Sequence, residues 1–436
     1  MTEMTAAARV SRWSRIWRGA PCFVMAAAFG AVRFSLPVVS HAAPQGSLPS
    51  LSLKQIPSSL YNISVRLYAN PVPEPQRGGG SLVTFQSGYL LATGEGILYR
   101  IEENEARNAL AVSASPITVP INFDAFRRGV TNPSVNLDWF RVTGIAVEQS
   151  GPTAILYAVH HFWHEGTKCF ALRVSSIELS ELWPARASSD PKWTLVYETT
   201  PCLPIKTRSD PFAGHQAGGR VLVLSTQTLA LSVGDHGFDG VNADQSYPQD
   251  PTASYGKIML IDVKSHTSRM LSLGHRNPQG LFADRTGSLW ETEHGPQGGD
   301  ELNHIHAGRN YGWPLVTYGV NYDTHEWPPN PVQGRHDGYE QPIFSWVPSI
   351  GISNVIRVEH DRFSRWRGDL VVASLDGLAL WRVRLDGERA VVTEPIPVGI
   401  AVRDLVENGR GEIVLWSDRT DHLAFLEPKA GDPLAR

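Results

Sequence analysis

The sequence predicts an all-β domain of repeated antiparallel units, and three observations support this. Short runs with period-2 alternation recur along the chain between turns rich in its 39 Gly and 31 Pro residues. Residues 281–295, 369–385 and 405–418 share one design: a strand, a polar turn with Gly and a second strand. The pattern lacks the long amphipathic helices of a doubly wound α/β fold. Because one unit alone cannot bury its apolar face, we expect radial repetition, as in a β-propeller.

The first 42 residues have the pattern of an export signal. A basic segment precedes an apolar stretch over residues 20–39, and residues 40–42 (SHA) form a small-x-small cleavage site. The alternative is a membrane anchor, but Arg33 and Pro37 interrupt the apolar run, which is short for a span. We therefore expect a periplasmic or secreted protein without a stable membrane span.

The charge of the chain argues against a nucleic-acid partner. The formal net charge is −4, and the leader contributes five Arg and one Glu, so the mature chain carries −8. Binding to a phosphate backbone needs a basic surface, which the sequence after the leader lacks.

The cysteine count allows one disulfide in the mature chain. Cys22 leaves with the leader, and Cys169 and Cys202 remain. In an oxidising compartment such a pair favours a disulfide, with two buried free thiols as the alternative.

The domain organisation follows from composition. Residues 43–60, rich in Pro, Ser and Gln, are predicted to be a linker, and residues 61–430 the β domain. Residues 71–80 are expected to form a loop. Two strands about a Gly turn are predicted over 83–101, and residues 175–187 have helical character but contain Pro184. Further strand predictions cover a strand at 154–161, a hairpin at 221–235 and a strand at 257–263.

Residues 274–319 are the most informative stretch. They contain the runs RNPQG, TEHGPQGGDE and NYGWP. These runs resemble the signature region of the glucose/sorbosone dehydrogenase family, closely over 210–420 and loosely over 60–200. The resemblance implies a six-bladed β-propeller of four-stranded antiparallel blades. It also implies an enzyme that uses pyrroloquinoline quinone (PQQ) and calcium to oxidise sugar hydroxyls and passes electrons to a periplasmic cytochrome or quinone.

Four residues in this stretch are expected to bind the cofactor and a metal ion. Arg276 offers a fixed fork of donors and Asn277 an amide, which suit an anionic ortho-quinone. By resemblance, both contact PQQ, and the main-chain carbonyls of Gly295 and Pro296 bind the calcium ion. Calcium accepts carbonyl oxygens readily. The alternatives are a structural Arg and an ordinary tight turn.

His215 is the expected general base. It lies in the run HQAGGR, which matches the family's H-x-x-G-G-R segment, and Asp235 ends the following hairpin. A neutral imidazole is suited to removing a sugar hydroxyl proton while a hydride passes to the quinone. By resemblance, Asp235 hydrogen-bonds His215 and fixes its tautomer. The alternative is a structural histidine.

Asp300 and Glu301 are candidates for a second, structural calcium ion, and the alternative is that they only cap the loop.

Three departures from the family pattern concern the cofactor. Asp376 stands where a Lys is usual and Ala401 where an Arg is usual, so Arg403 is the cation that remains. Residues 140–145 (FRVTGI) lie near the place of an expected QGGLL-type segment.

Other basic groups are candidates to compensate: Lys206, Arg208, and Arg335 with His336. A second cluster consists of His160, His161 and His164. A transition metal is one interpretation of it, and the favoured one is a polar loop at the propeller mouth.

Two further functions stay open. Asp376 and Ala401 favour a non-catalytic propeller that binds carbohydrate or another ligand. A hydrolase or lactonase with calcium as Lewis acid needs side-chain carboxylates or amides that converge on the ion.

Overall fold

The structure, a computed structural model, describes residues 50–73, 77–183, 192–207, 210–330, 332, 334–420 and 422–431. The predicted export signal at 1–42 and residues 43–49 of the predicted linker lie outside these ranges, as does Arg208. Across the described ranges, none of the helices has both the length and the apolar character that a membrane crossing needs.

Six antiparallel sheets make up the described chain. The strands are β1 Ser50–Pro57, β2 Asn62–Ala69, β3 Ser81–Phe85, β4 Gly88–Ala92, β5 Leu98–Asn104, β6 Ala109–Ala114, β7 Val142–Ser150, β8 Thr153–His164, β9 Cys169–Glu178, β10 Thr194–Glu198, β11 Leu203–Pro204, β12 Gly218–Ser225, β13 Thr228–Val233, β14 Lys257–Asp262, β15 Thr267–Leu273, β16 Pro278–Ala283, β17 Leu289–Glu293, β18 Asp300–Ile305, β19 Phe344–Trp346, β20 Ile352–Arg357, β21 Leu370–Ser374, β22 Leu380–Asp386, β23 Arg389–Ile396, β24 Asp404–Glu407, β25 Ile413–Ser417 and β26 His422–Pro428. The helices are α1 Phe123–Gly129 and α2 Leu179–Leu182, and 3₁₀ turns cover Glu105–Arg107, Leu137–Trp139, Gly214–Gln216 and Asp361–Trp366.

The sheets are the blades of a six-bladed propeller, as predicted. Blades 1 to 5 are β3–β6, β7–β10, β12–β15, β16–β19 and β20–β23, and β11 pairs with β9 of blade 2. Blade 6 has the order β24-β25-β26-β2-β1. The innermost strands contact one another in the cyclic order β3, β7, β12, β16, β20, β24 and back to β3. Each inner strand is the edge of its sheet, and the ring keeps these edges short and protected.

The N-terminal strands close the ring. β2 pairs antiparallel with β26, so the two ends of the domain lie in one sheet, and β1 adds a further edge strand. The predicted linker is therefore wrong over Ser50–Pro57. An edge strand has one neighbour and needs no continuous apolar face, so its Ser, Lys and Gln residues concealed the strand signal. Pro57 is tolerated at its end.

The hydrophobic core is divided among the blade interfaces. Each of six clusters of buried side chains lies between two adjacent blades. Leu90 of blade 1, for example, shares a cluster with Leu156 of blade 2, and Ile258 of blade 3 shares one with Leu281 of blade 4. Among the described residues, each blade therefore buries its apolar side chains against its neighbours rather than in a core of its own, as the sequence predicted.

The strand predictions hold with two corrections. The three repeated segments form the hairpins β16–β17, β21–β22 and β24–β25, and the strands predicted near 154–161, 221–235 and 257–263 are present. Residues 83–101 contain three strands rather than two, because Gln86 at φ 54° makes a tight turn without glycine. Over the described residues 175–183, β9 continues to Glu178 and only the single turn Leu179–Leu182 is helical; residues 184–187 lie outside the described ranges.

The predicted disulfide is confirmed. Cys169 begins β9, and Cys202 precedes β11, which pairs with β9. Their Cα atoms are 5.6 Å apart, which is typical of a disulfide.

A buried ion pair joins the blades at the centre. The carboxylate of Asp404, at the start of β24, accepts a hydrogen bond from Arg220 Nη1 of β12 at 2.7 Å. It also accepts bonds from Ser81 Oγ, the Leu82 amide and Asn354 Nδ2. Four of the six inner strands therefore meet at one carboxylate.

We predict that Asp404→Asn lowers the free energy of unfolding by about 3–5 kcal/mol, because Arg220 stays buried with its charge unpaired. Denaturant unfolding measures this. Asp361→Asn is the control, since its pair with Arg367 is 75% and 57% exposed and is worth at most about 1 kcal/mol. Equal stability of Asp404→Asn and wild type contradicts the prediction.

Candidate active site

A cavity of about 470 Å³ opens at one end of the propeller. Many of its lining residues lie just before the innermost strand of a blade: Arg141 precedes β7, Asn277 precedes β16 and Arg403 precedes β24. Others follow the second strand of a blade, as Gly295 and Pro296 follow β17. Because inner strands all begin at the same end of a propeller, residues far apart in the chain converge there. Seven predicted site residues line the cavity: His215, Arg276, Asn277, Gly295, Pro296, Asp300 and Arg403.

His215 lies on the 3₁₀ turn Gly214–Gln216 beside the cavity. Gly214 is required there, because a Cβ atom would lie 2.6 Å from the Trp139 carbonyl oxygen. The Trp139 ring centroid is 5.4 Å from that of the imidazole. His215 Nε2 is 3.7 Å from Asp210 Oδ2, and among the described residues Nδ1 has no partner. Burial and the charge of Arg276 lower the pKa of His215, so the ring is neutral at pH 7.

The predicted hydrogen bond between Asp235 and His215 is wrong for this structure. Asp235 is fully buried, and its carboxylate accepts from the Gly237 amide at 2.8 Å and from Trp313 Nε1 at 2.7 Å. Burial and nearby Asp239 raise the pKa of Asp235 to about 7. Asp235 also donates its amide to the Arg276 carbonyl at 2.9 Å, so it positions the Arg276 segment rather than the imidazole.

Arg276 and Asn277 are held by several hydrogen bonds. The Arg276 amide donates to Glu293 Oε2 at 2.6 Å, and Nη1 donates to the Gly295 carbonyl at 2.8 Å. Asn277 Nδ2 donates to the His215 carbonyl at 3.2 Å. The Arg276 guanidinium is thus fixed beside the Gly-Pro turn. Asn277 connects the Arg276–Asn277 segment to the His215 loop through its hydrogen bond.

The Gly295-Pro296 turn lies at the cavity wall, and its carbonyl oxygens accept hydrogen bonds from Arg276 Nη1 at 2.8 Å and from the Tyr322 hydroxyl at 3.4 Å. A side chain on Gly295 would lie 2.3 Å from the Gly298 carbonyl oxygen, so only glycine fits. Asp300 Oδ1 accepts from the Gly295 amide, and Oδ2 accepts from the amides of Ile350 and Ile352, each at 3.0 Å. Of the two predictions for Asp300, the structure therefore favours the loop cap.

Glu301 lies outside the cavity lining, in a buried acidic cluster. Asn303 Nδ2 donates to Glu291 at 3.0 Å, Glu293 at 3.2 Å and Glu301 at 3.4 Å. His275 Nδ1 is 3.1 Å from Glu293 Oε1. Burial and the charge of Glu293 raise the pKa values of Glu291 and Glu301. Such a group of carboxylates favours a bound proton or cation.

Arg403 and Lys206, both predicted, line the cavity, and Arg419 does so as well. Arg403 Nε pairs with Asp418 at 2.8 Å, and Arg419 pairs with Asp376 at 2.8 Å, which neutralises the unexpected acid. Lys206 lines the cavity and donates to the His236 carbonyl at 3.0 Å.

Arg335 and His336 are not among the cavity-lining residues. Arg335 pairs with Asp337, and His336 is buried against the Tyr318 ring, so neither compensates for a lost cation.

The histidine cluster is neither a metal site nor a mouth loop. All three histidines lie on β8. His160 and His161 are buried in the core, bonded to Ser175 Oγ and the Arg141 carbonyl, whereas His164 pairs with Glu198. Neighbouring side chains in a strand point to opposite faces, so His160 and His161 do not converge on one ion. The loop interpretation fails because all three residues lie within β8.

Sequence reasoning missed Asp210, Arg141 and Arg419 as cavity residues. A usable signal existed for Arg141, since it stands immediately before an inner strand, as Arg403 does. The divergence of the blades hid that equivalence.

Known proteins are similar to this chain over about half of its length. A family model described as glucose/sorbosone dehydrogenase matches residues 204–424, about half of the chain. An uncharacterized protein of Synechocystis is 31% identical over 249 residues, 52% of this chain and 58% of its own length. The aldose sugar dehydrogenase of Escherichia coli is 29% identical over 236 residues, 50% of this chain and 61% of its own length. The chain thus spans roughly three fifths of these relatives.

Solved structures share the fold over most of the chain. The soluble aldose sugar dehydrogenase of E. coli, in its apo form, aligns with a TM-score of 0.62 at 20% identity, over 84% of this chain and 100% of its own. The PQQ-bound aldose sugar dehydrogenase of Streptomyces coelicolor gives 0.57 at 20% identity, over 88% of this chain and 100% of its own.

We predict that His215 titrates below its ordinary range and that Arg276→Gln raises its pKa, because a neighbouring positive charge is removed. Histidine NMR as a function of pH measures this. Arg285→Gln, at an exposed site, is the control and leaves the titration unchanged. A wild-type pKa at the ordinary value, or no change in Arg276→Gln, contradicts the prediction.

Proposed function

Because the chain belongs to the glucose/sorbosone dehydrogenase family, we propose that it is a quinoprotein sugar dehydrogenase that uses PQQ and calcium to oxidise a CH–OH group of an aldose or related sugar. One observation carries the proposal. His215, Arg276 and the Gly295-Pro296 turn, distant in sequence, line one cavity. This convergence is what the proposed chemistry requires.

The residues present fit PQQ and calcium. The cavity volume lies within the range of about 300–1,000 Å³ typical of cofactor sites. Buried polar atoms there lack partners among the described residues, including Arg276 Nε and Arg141 Nε, so donors are available to an anionic molecule. Gly295 and Pro296 supply the carbonyl oxygens that calcium prefers.

His215 is the proposed general base. Its neutral imidazole accepts the proton of the sugar hydroxyl, and its lowered pKa keeps it unprotonated through neutral and mildly acidic pH. The chemistry that PQQ supplies when bound is the acceptance of a hydride from the same carbon. The Arg276 guanidinium stabilises negative charge that develops on the acceptor side of the cavity.

A second, structural calcium ion is proposed at the buried acidic cluster rather than at Asp300: ligand atoms of Glu291 and Glu293 converge there with His275, and Glu301 shares the Asn303 donor with them. Glu291 Oε1 and Asn303 Oδ1 are buried without a partner among the described residues. A cation in this cluster offsets the charge of three buried carboxylates.

The competing functions have less support. Arg419 neutralises Asp376, which weakens the case for a propeller that has lost its cofactor. A lactonase needs carboxylates on the cavity ion, but Asp300 is engaged by main-chain amides.

We place the enzyme in the periplasm, from the predicted leader and the disulfide, with a periplasmic cytochrome or quinone as electron acceptor.

We predict that the purified chain, given PQQ and calcium, reduces a redox dye with aldoses, and that His215→Ala lowers kcat by about 10²–10⁴-fold, because the general base is lost. PQQ affinity is expected to persist, which separates catalysis from binding.

His266→Asn is the control, at an exposed turn whose φ of 55° Asn tolerates. It is expected to retain full activity. A His215→Ala variant as active as wild type rules out the proposed base, and a wild type that does not bind PQQ supports the non-catalytic propeller.

We predict that exhaustive chelation abolishes dye reduction and weakens PQQ binding, and that calcium restores both better than magnesium. Magnesium demands near-ideal octahedral geometry, whereas calcium accepts carbonyl ligands flexibly. Elemental analysis and activity are measured together. Full activity of metal-free protein contradicts the assignment.

A further inference from the structure

Arg141 is a buried arginine without a carboxylate partner among the described residues. It is 4% exposed, yet it lines the cavity. Its Nη1 donates to the Gly78 carbonyl at 3.1 Å, and its guanidinium lies 4.7 Å from the centroid of the Trp139 ring. Nε has no acceptor. A guanidinium offers a planar fork that matches a carboxylate, and most of this fork is unused.

The surroundings of Arg141 leave a positive charge to be matched. Arg403 and Arg419 lie near it, paired with Asp418 and Asp376, and Asp418 also acts on Arg141, so three guanidinium groups share two carboxylates. Burial and the charge of Arg403 lower the pKa of Arg141 to about 9, so it is still charged at pH 7. A buried charge that shares its counter-charge with a second arginine is costly, and an anionic ligand offsets that cost.

The position of Arg141 places it close to the proposed chemistry. It immediately precedes β7, as Arg403 precedes β24, and both lie at the end of the ring where the cavity opens. Trp139 contacts both Arg141 and His215, so the guanidinium and the proposed base share a wall of the cavity.

We propose that Arg141 binds a carboxylate group of the molecule that fills the central cavity. The inference rests on the proposed function for the identity of that molecule. One source is a carboxylate of PQQ. The other source is the carboxylate of an acidic sugar such as a uronic acid, bound beside His215. Both present the same group to the same fork.

The test compares wild type, Arg141→Gln and Arg141→Lys by isothermal titration with PQQ plus calcium and, separately, with D-glucuronate and D-glucose. Arg141→Gln is expected to lose at least about tenfold in affinity for a carboxylate ligand, and Arg141→Lys less, because it keeps the charge without the fork. D-Glucose binding is expected to stay unchanged. Arg309→Gln, an exposed arginine, is the control and is expected to bind as wild type.

The unfolding temperature separates a ligand-binding role of Arg141 from a structural one, because loss of a structural arginine lowers it. Without ligand, Arg141→Gln is expected to unfold at the same temperature as wild type or a higher one, because an unmatched buried charge is removed. Lower affinity with unchanged or higher stability supports the proposal. Lower affinity together with a destabilised fold overturns it in favour of a structural arginine.

The two ligands distinguish the sources. Loss of PQQ affinity alone assigns Arg141 to the cofactor, and loss of glucuronate affinity alone assigns it to an acidic substrate. If wild type does not bind PQQ, the cofactor proposal fails, and the glucuronate titration still decides the role of Arg141. Equal binding of each ligand by wild type and Arg141→Gln, or no binding of either by wild type, overturns the inference.

Discussion

A single carboxylate at the centre of the ring, that of Asp404, constrains the rest of the structure. It accepts hydrogen bonds from strands of blades 1, 3 and 5 while belonging to blade 6. Since each hydrophobic cluster is shared by two neighbouring blades, each blade is stable only when its neighbours are in place. The Arg220–Asp404 pair joins inner strands of blades 3 and 6 near the axis, and β2 closes the ring by pairing with β26.

This geometry explains why the cavity is strongly charged. The residue before each inner strand is brought to the same end of the axis, where the sequence has Arg141, Asn277 and Arg403. The charges of Arg141 and Arg403 are buried and act on each other at low effective dielectric, and Arg276 and Arg141 act on His215. The lowered pKa of His215 follows from its burial and from these charges, and the affinity for anions that we propose follows from the same charges.

The sequence predicted much of the fold and part of the site, for identifiable reasons. Hairpins with a polar Gly turn, such as 405–418, are local features and were recognised, as was the Gly295-Pro296 turn. The partners of Asp235 were not, because Trp313 reaches it from another blade across 78 residues of sequence. The strand at Ser50–Pro57 was missed because an edge strand lacks a strong apolar pattern, and the role of Arg141 depends on which blades are neighbours.

The most direct test of the account is a crystal structure of the chain grown with PQQ and calcium. The account predicts one PQQ molecule in the central cavity, its quinone oxygens beside Arg276 and His215, with calcium on the Gly295 and Pro296 carbonyls. Density for PQQ elsewhere on the propeller, or a cavity that holds only solvent at saturating PQQ, would contradict it.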